Sequence, residues 1–332
     1  MSLATIIAGT LTLMASHLVL GYNVVCNEDT QVYPFQVSSR PCYSSPFKRI
    51  VFFGDSWTEN GEGPLDSNSY DTSNFRGRQT NGPTWAEYLT KMMGADTLDY
   101  AFSGASANND IVPRSVPDTG QQITMYQQPG TVQGGGAEPS LHFIWTGVND
   151  IHDIFVNTTS EAERYAKMEG IIASLEDQME QLFYESNTRY FVIMGLAPIN
   201  RLPLFRNLSF ADKLSLTNLI AAYNSQLRSL APQFTESRTM TLSYKDMGDL
   251  RVASQAGDDD VKILFFNVHK MFQDKLLSKA ESLGIVNVAD ACKSNIQQCS
   301  SSQQRYLWWD DWHPTTYVHQ LIASMITKTL LS

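Results

Sequence analysis

Five short apolar runs, β-branched or aromatic and each followed by a small or turn-forming residue, alternate along this chain with segments of helical periodicity. The runs cover residues 49–53, 98–102, 141–145, 190–194 and 262–268. Continuous apolar runs of that length suit strands covered on both faces, as in a parallel sheet. Between them lie stripes at i, i+3, i+4 and i+7, such as Trp85, Tyr88, Leu89 and Met92. A second stripe joins Met168, Ile171, Ile172, Leu175, Met179 and Leu182. Further helices are expected over 209–231, through Met271, Leu276 and Leu277, and through Val318, Leu321, Ile322, Met325 and Ile326. Pro83 is expected at the first position of the helix that carries Trp85. Parallel strands need crossover helices, so the expectation is an α/β fold with helices on both faces of a parallel sheet. No repeat with a period of 20–50 residues and no clean linker divides the 332 residues.

Open α/β sheets bind ligands at the carboxyl ends of their strands. The first run leads into Gly54-Asp55-Ser56, where glycine permits a sharp turn and Ser56 follows. Ser56 is therefore a candidate nucleophile, against the plainer reading of a capping serine. The second run ends in Ser103-Gly104-Ala105-Ser106-Ala107, and the third in Thr146-Gly147-Val148-Asn149-Asp150. Residues 58–82 and 108–140 are rich in turn-forming residues and read as long surface loops, the second with one short helix.

Charge and leader bound the setting. The net charge of −10 argues against nucleic acid and against an anionic membrane surface. Residues 1–21 are uncharged with an apolar centre, too short and interrupted for a membrane span. They read as a secretory signal peptide, with cleavage after Ser16 or Gly21, over a membrane anchor. Residues 22–332 then form a single domain whose polar, irregular N-terminal arm is pinned by a disulfide. The four cysteines fall into two local pairs, Cys26 with Cys42 and Cys292 with Cys299, although three pairings are possible. Asn157-Thr158-Thr159 and Asn207-Leu208-Ser209 are glycosylation sequons. The expected location is extracellular, with no stable membrane insertion after cleavage. The acidic run 258–260 reads as a solvated loop, and no cysteine spacing resembles a zinc site.

A serine nucleophile needs a base. Of the six histidines, His17 lies in the leader, His142 and His269 sit in or beside apolar strands, His152 follows a strand turn, and His319 is expected to face out of a helix. His313 has a carboxylate three residues before it, in Trp308-Trp309-Asp310-Asp311-Trp312-His313-Pro314. In a tight loop that spacing brings Asp310 to the imidazole Nδ1 and leaves Nε2 for the serine. Asp311 competes for that role at a spacing of two. The developing oxyanion needs donors, and three candidates end three strands: the N–H of Ser56, the N–H of Gly104 and the amide of Asn149.

Four blocks in this order resemble the GDSL/SGNH hydrolase family: Phe53-Gly54-Asp55-Ser56, Gly104, Gly147-Val148-Asn149-Asp150, and Asp310-Asp311-Trp312-His313-Pro314. Asn81-Gly82-Pro83-Thr84-Trp85 also resembles a segment of fungal and plant members. The first block continues with Trp57 where leucine is usual in the family. The resemblance spans roughly residues 48–330. It implies a flavodoxin-like three-layer α/β/α sandwich, with Ser56 as nucleophile, His313 as base, Asp310 as orienter, and Ser56, Gly104 and Asn149 as the oxyanion hole. The chemistry requires no metal or cofactor. The Gly-X-Ser-X-Gly elbow of α/β-hydrolases is absent from the sequence.

The block at Asn81–Trp85, with the leader, sequons and cysteines, is similar to secreted fungal carbohydrate acetylesterases of that family. The implied substrate is a small ester or an acetylated plant-type oligosaccharide. A lipase, phospholipase or acyltransferase of the same family is the alternative, and an inactive binding protein on the scaffold is the alternative of another class. Trp57, Trp145 and Trp309 lie beside the catalytic blocks and either line a sugar site or belong to the core.

Overall fold

The computed structural model describes residues 23–25, 43–61, 77–128, 140–236, 261–295 and 306–331. The leader, Cys26, Cys42, Cys299 and the acidic run 258–260 lie outside these residues. The arm expected to be irregular contains a short antiparallel ladder, β1 (Asn23–Val25) with β2 (Tyr43–Ser45). The chain then enters β3 (Arg49–Gly54), in which Ile50, Val51, Phe52 and Phe53 are all 0% exposed. Burying each of these side chains contributes about 1.5–3 kcal/mol.

The elements that follow are α1 (Trp85–Met93), β4 (Asp96–Asp99), α2 (Thr119–Tyr126), β5 (Ser140–Trp145), α3 (Val148–Asn157) and α4 (Glu161–Glu185). After them come β6 (Tyr190–Met194), α5 (Phe210–Glu236), β7 (Lys262–Phe266) and α6 (Val268–Met271). The chain closes with β8 (Asn287–Ala291), β9 (Tyr306–Trp308) and α7 (Thr316–Leu331). Among the described residues, five strands form one parallel sheet in the order β4-β3-β5-β6-β7. This is the flavodoxin-like order. A separate parallel pair joins β8 to β9.

Handedness then assigns the layers. The crossover from β3 to β4 and those from β5 to β6 and β6 to β7 run in opposite directions across the sheet. Right-handed connections therefore put α1 on one face and α4 and α5 on the other. Accordingly α1 packs on α7, while α4 packs on α2, α3 and α5. The order reverses at β3, so the ligand crevice lies at the carboxyl ends of β3 and β5. Among the described residues, no helix is long and apolar enough to cross a membrane.

Local details depart from expectation for identifiable reasons. Thr84 is the N-cap of α1, so Pro83 sits ahead of the cap rather than at the first helical position. The Glu87 carboxylate takes the Thr84 N–H at 2.8 Å, which fixes that helix start. β4 ends at Asp99 because its buried carboxylate captures the Ala101 and Asn60 N–H groups at 2.9 and 2.8 Å. The helix expected through residues 271–277 is α6 followed by a wider π-type turn, Phe272–Leu277. His319 does not face out. It is 1% exposed, and its Nδ1 accepts the Trp85 N–H at 3.2 Å across the α1–α7 contact.

Candidate active site

At the end of β3 the backbone meets β5 closely: a Cβ on Gly54 would lie 2.1 Å from the Trp145 carbonyl oxygen. The chain then coils once, with the Thr58 and Glu59 N–H groups donating to the Asp55 carbonyl at 2.9 and 3.0 Å. Asp55 Oδ1 also accepts the Trp57 N–H at 3.0 Å. The turn leaves Ser56 partly exposed between buried neighbours.

From the other end of the chain, His313 Nε2 lies 2.8 Å from Ser56 Oγ, across 257 residues of sequence. His313 Nδ1 lies 2.8 Å from Asp310 Oδ1, and the same oxygen accepts the N–H groups of Trp312 and His313 at 2.9 Å each. Burial alone would raise the Asp310 carboxyl. The hydrogen bond and charge of His313, with the two N–H donors, outweigh it and hold Asp310 below the ordinary carboxylate value. Asp311 is exposed and contributes its carbonyl to the Leu204 N–H at 3.3 Å.

The loop carrying His313 is clasped from several sides. The Trp309 N–H donates to the His313 carbonyl at 2.7 Å, and Trp57 Nε1 donates to the Trp312 carbonyl at 3.1 Å. Thr80 Oγ1 donates to the Pro314 carbonyl, and Asn81 Oδ1 accepts the Thr316 N–H, both at 2.8 Å. Gly82 allows this approach, since a Cβ there would meet Thr316 Oγ1 at 2.7 Å. The Asn81–Trp85 block is therefore a brace for the histidine loop.

Gly104 and Asn149 end the neighbouring strands. Gly104 has φ +84°, a left-handed conformation, and nothing lies within 4 Å of a Cβ built on it. Asn149 is 7% exposed and donates from Nδ2 to the Ala105 carbonyl at 2.8 Å, one residue past Gly104. Among the described residues, the N–H groups of Ser56 and Gly104 have no hydrogen-bond partner. Two backbone donors and one side-chain amide thus stand just past the ends of β3, β4 and β5, the edge of the sheet that also carries Ser56.

The tryptophans divide. Trp57 and Trp145 are each 1% exposed and cannot present a ring face to a sugar. They pack edge-on, centroids 5.3 Å apart, with Trp85 against Trp145 and with Trp308 and Phe272 against Trp57. They are the aromatic floor beneath the site, and the substrate-lining reading is corrected for both. Trp309 keeps a partly exposed ring against Cys292 and Tyr306. Trp312 is also partly exposed, and its ring meets His152 at a centroid distance of 4.6 Å.

Several residues here were not singled out by the sequence. Gln122 holds Gly54, Glu59 holds Ser103, and Arg114 pairs with Asp153 at 2.8 Å while reaching the Asn149 carbonyl at 3.3 Å. Asp150 Oδ1 accepts the Ala107 N–H at 2.9 Å. Burial pushes both Asp55 and Asp150 up to about 7, opposed by backbone N–H donors and by the Arg114 charge. The aspartates of the first and third blocks were the available signal. Glu59, Gln122 and Arg114 carried none.

The geometry allows Ser56 to pass its proton to His313 as it attacks a carbonyl. Comparison with known proteins points the same way. The sequence profile of GDSL-like lipases and acylhydrolases matches residues 50–326. An acetylesterase from Hypocrea jecorina is 22% identical over 317 residues, covering 86% of this chain and 88% of its own. An acetylesterase from Thermothelomyces thermophilus is 23% identical over 300 residues, covering 84% and 87%. A phosphatidylcholine-sterol acyltransferase from Aeromonas hydrophila is 24% identical over 318 residues, covering 86% and 89%. With a match that spans most of its length, the chain belongs to the GDSL-like lipase/acylhydrolase family and is a carboxylic ester hydrolase.

Proposed function

We propose that this chain is a secreted serine esterase that removes acetyl groups from plant-type oligosaccharides through Ser56, His313 and Asp310. The observation that carries the reading is the position of His313, 2.8 Å from Ser56 Oγ on one nitrogen and 2.8 Å from Asp310 on the other. The preference for acetyl esters rests on the two fungal acetylesterases among its relatives.

The reaction runs in two halves. Ser56 Oγ bonds to the ester carbonyl carbon as its proton moves to His313 Nε2, and the carbonyl electron pair becomes an oxyanion. The Ser56 and Gly104 N–H groups and the Asn149 amide receive that charge. Collapse expels the sugar oxygen, which takes the proton from His313 and leaves an acetyl-serine. Water then gives His313 a proton and attacks the acetyl carbon. Collapse returns the proton to Ser56 and releases acetate. Asp310 stays ionised and stabilises the imidazolium in both halves.

Export fits the exposed asparagines of both sequons, Asn157 and Asn207. The reading includes removal of residues 1–21, bridges Cys26–Cys42 and Cys292–Cys299, and glycans on Asn157 and Asn207. A second reading, transfer or hydrolysis of longer acyl chains, is favoured by the Aeromonas hydrophila acyltransferase. The test compares acetylated xylo-oligosaccharides, p-nitrophenyl acetate and a long-chain triglyceride, with Ser56→Ala as control. The acetylated substrates should turn over fastest, and Ser56→Ala should lose at least about 10⁴-fold in kcat while staying folded. Preference for the triglyceride would replace the first reading with the second. Full activity in Ser56→Ala would end both.

A further inference from the structure

We infer that Glu59 is a positioning residue of the oxyanion hole, a strut that fixes the Gly104 donor relative to the Ser56 turn. The inference rests on the reading that Ser56 and Gly104 supply backbone donors to the oxyanion.

Those two donors belong to different loops, one after β3 and one after β4. The strands themselves do not hold the loops together as far as Gly104. Regular pairing of β4 with β3 stops at Asp99, and the last backbone link is the Phe102 N–H to the Gly54 carbonyl at 3.1 Å. Beyond it, Gly104 sits in a left-handed conformation with open space on the side a Cβ would fill, so packing does not wedge it from there. A donor whose position matters to a fraction of an ångström needs another anchor.

Glu59 provides one. Its own N–H donates to the Asp55 carbonyl at 3.0 Å, which puts it on the same single coil of backbone as Ser56. Its Oε2 accepts the Ser103 N–H at 2.7 Å and also the Ser103 hydroxyl. Ser103 is the residue before Gly104. One carboxylate oxygen, three residues after the nucleophile, thus grips the loop through two donors immediately ahead of the oxyanion N–H. Charge-assisted hydrogen bonds of this kind are roughly twice as strong as neutral ones. On the far side, Asn149 Nδ2 holds the Ala105 carbonyl at 2.8 Å, and the Ala105 N–H closes onto Phe102 at 3.0 Å. Gly104 is held between a strut from the serine turn and a strut from the β5 end.

The rival account is that Glu59 merely stabilises the fold. The two differ in which constants move. Removing one oxyanion donor costs about 10²–10³ in kcat, and losing the strut should approach the lower end of that range. Glu59→Ala should therefore lower kcat for p-nitrophenyl acetate by about 10²-fold with KM changed less than about twofold. Glu59→Gln keeps an oxygen for the Ser103 N–H and should recover most of that loss. Inhibition by a trifluoromethyl ketone, which forms an oxyanion on the serine, should weaken in Glu59→Ala by the same factor as kcat/KM.

Wild-type kcat in folded Glu59→Ala would overturn the inference. So would a Glu59→Gln enzyme as impaired as the alanine variant, or a loss of kcat that tracks a fall in melting temperature with ketone affinity unchanged. If Glu59→Ala does not fold, Glu59→Gln and Ser103→Ala decide. Ser103→Ala removes the hydroxyl bond alone and should weaken ketone binding by a smaller factor than kcat/KM loses in Ser56→Ala, and unchanged ketone affinity there would overturn the strut. Ser56→Ala is measured alongside: activity retained in it would sink the serine mechanism itself, whereas an inactive Ser56→Ala beside a fully active Glu59→Ala would sink only the strut.

Discussion

Gln122 forms a two-way pair with the backbone of Gly54: its Oε1 accepts the Gly54 N–H and its Nε2 donates to the Gly54 carbonyl, each at 2.9 Å. Gly54 is the last residue of β3, and β4 has already ended at Asp99 on that side. A side chain from α2 therefore supplies the acceptor for the Gly54 N–H, and a second donor to a carbonyl that also takes the Phe102 N–H at 3.1 Å. Gln122 is 0% exposed, so water cannot replace it.

From this pair follows the first prediction. Gln122→Leu keeps much of the volume and removes both of these hydrogen bonds and the one to the Pro117 carbonyl at 3.1 Å, leaving a buried Gly54 N–H without its partner. Such a group costs about 1–3 kcal/mol. Urea unfolding should show a loss of that size. kcat should fall too, because Gly54 stands two residues before Ser56. A variant as stable as wild type would mean that the pair contributes nothing net.

The second prediction separates floor from rim. Trp145 is packed among Trp57 and Trp85, whereas Trp312 lies partly exposed over His152 beside His313. Trp145→Phe should lower stability by about 1–3 kcal/mol through the void it leaves, with KM for acetylated oligosaccharides unchanged. Trp312→Ala should raise that KM several-fold with little effect on the urea midpoint. Steady-state kinetics and unfolding curves on the two variants check both halves, and the opposite assignment of effects would return Trp145 to the substrate.

How far the sequence could be read depended on how local each signal was. Ser56, and Asp310 three residues before His313, were legible because the turn and the spacing are local; alternation and crossover rules led to a parallel sheet with helices on both faces, while its flavodoxin-like order was implied by the family resemblance alone. Glu59 and Gln122 were not, because their partners lie 44 and 68 residues away and neither sits in a periodic pattern. Trp57 and Trp145 were open between site and core because adjacency to a motif does not tell which face of the sheet a side chain takes. His319 was misassigned for a related reason: the face of α7 that is buried depends on where α1 lies, and that is fixed only by the handedness of the fold.

The third prediction concerns pH. Asp55 and Asp150 are 1% and 0% exposed, and each has an Oδ2 without a hydrogen-bond partner among the described residues. Burial raises both to about 7, with the charge of Asp150 adding to the rise at Asp55 and Arg114 opposing it at both. The folded state therefore holds protons that the unfolded state releases near about 4. The stability from these groups is fully present below that value and is lost as pH rises through about 7. Asp150→Asn keeps the oxygen for the Ala107 N–H but cannot ionise. Its stability relative to wild type should improve between about pH 4 and pH 7 and level off above that. Urea unfolding across that range measures the difference, and a pH-independent offset would show that Asp150 is ionised throughout.

The last prediction isolates the charge of Asp310. The three hydrogen bonds to its carboxylate, from His313 Nδ1 and the N–H groups of Trp312 and His313, converge on Oδ1. In Asp310→Asn the amide oxygen can take that position and keep every one of these bonds. The two backbone donors oppose the flipped amide, since flipping would set its NH₂ against two N–H groups. The tautomer of His313 is then preserved, and only the stabilisation of the imidazolium is lost. Loss of the correct tautomer in a serine triad costs about 10⁴-fold in kcat. Asp310→Asn should fall short of that, losing about 10²-fold, while Asp310→Ala, which frees the loop as well, should lose more. A single-turnover measurement with p-nitrophenyl acetate reads the acylation step directly. Equal losses in the two variants would mean that the asparagine flips and that the backbone donors do not control its orientation.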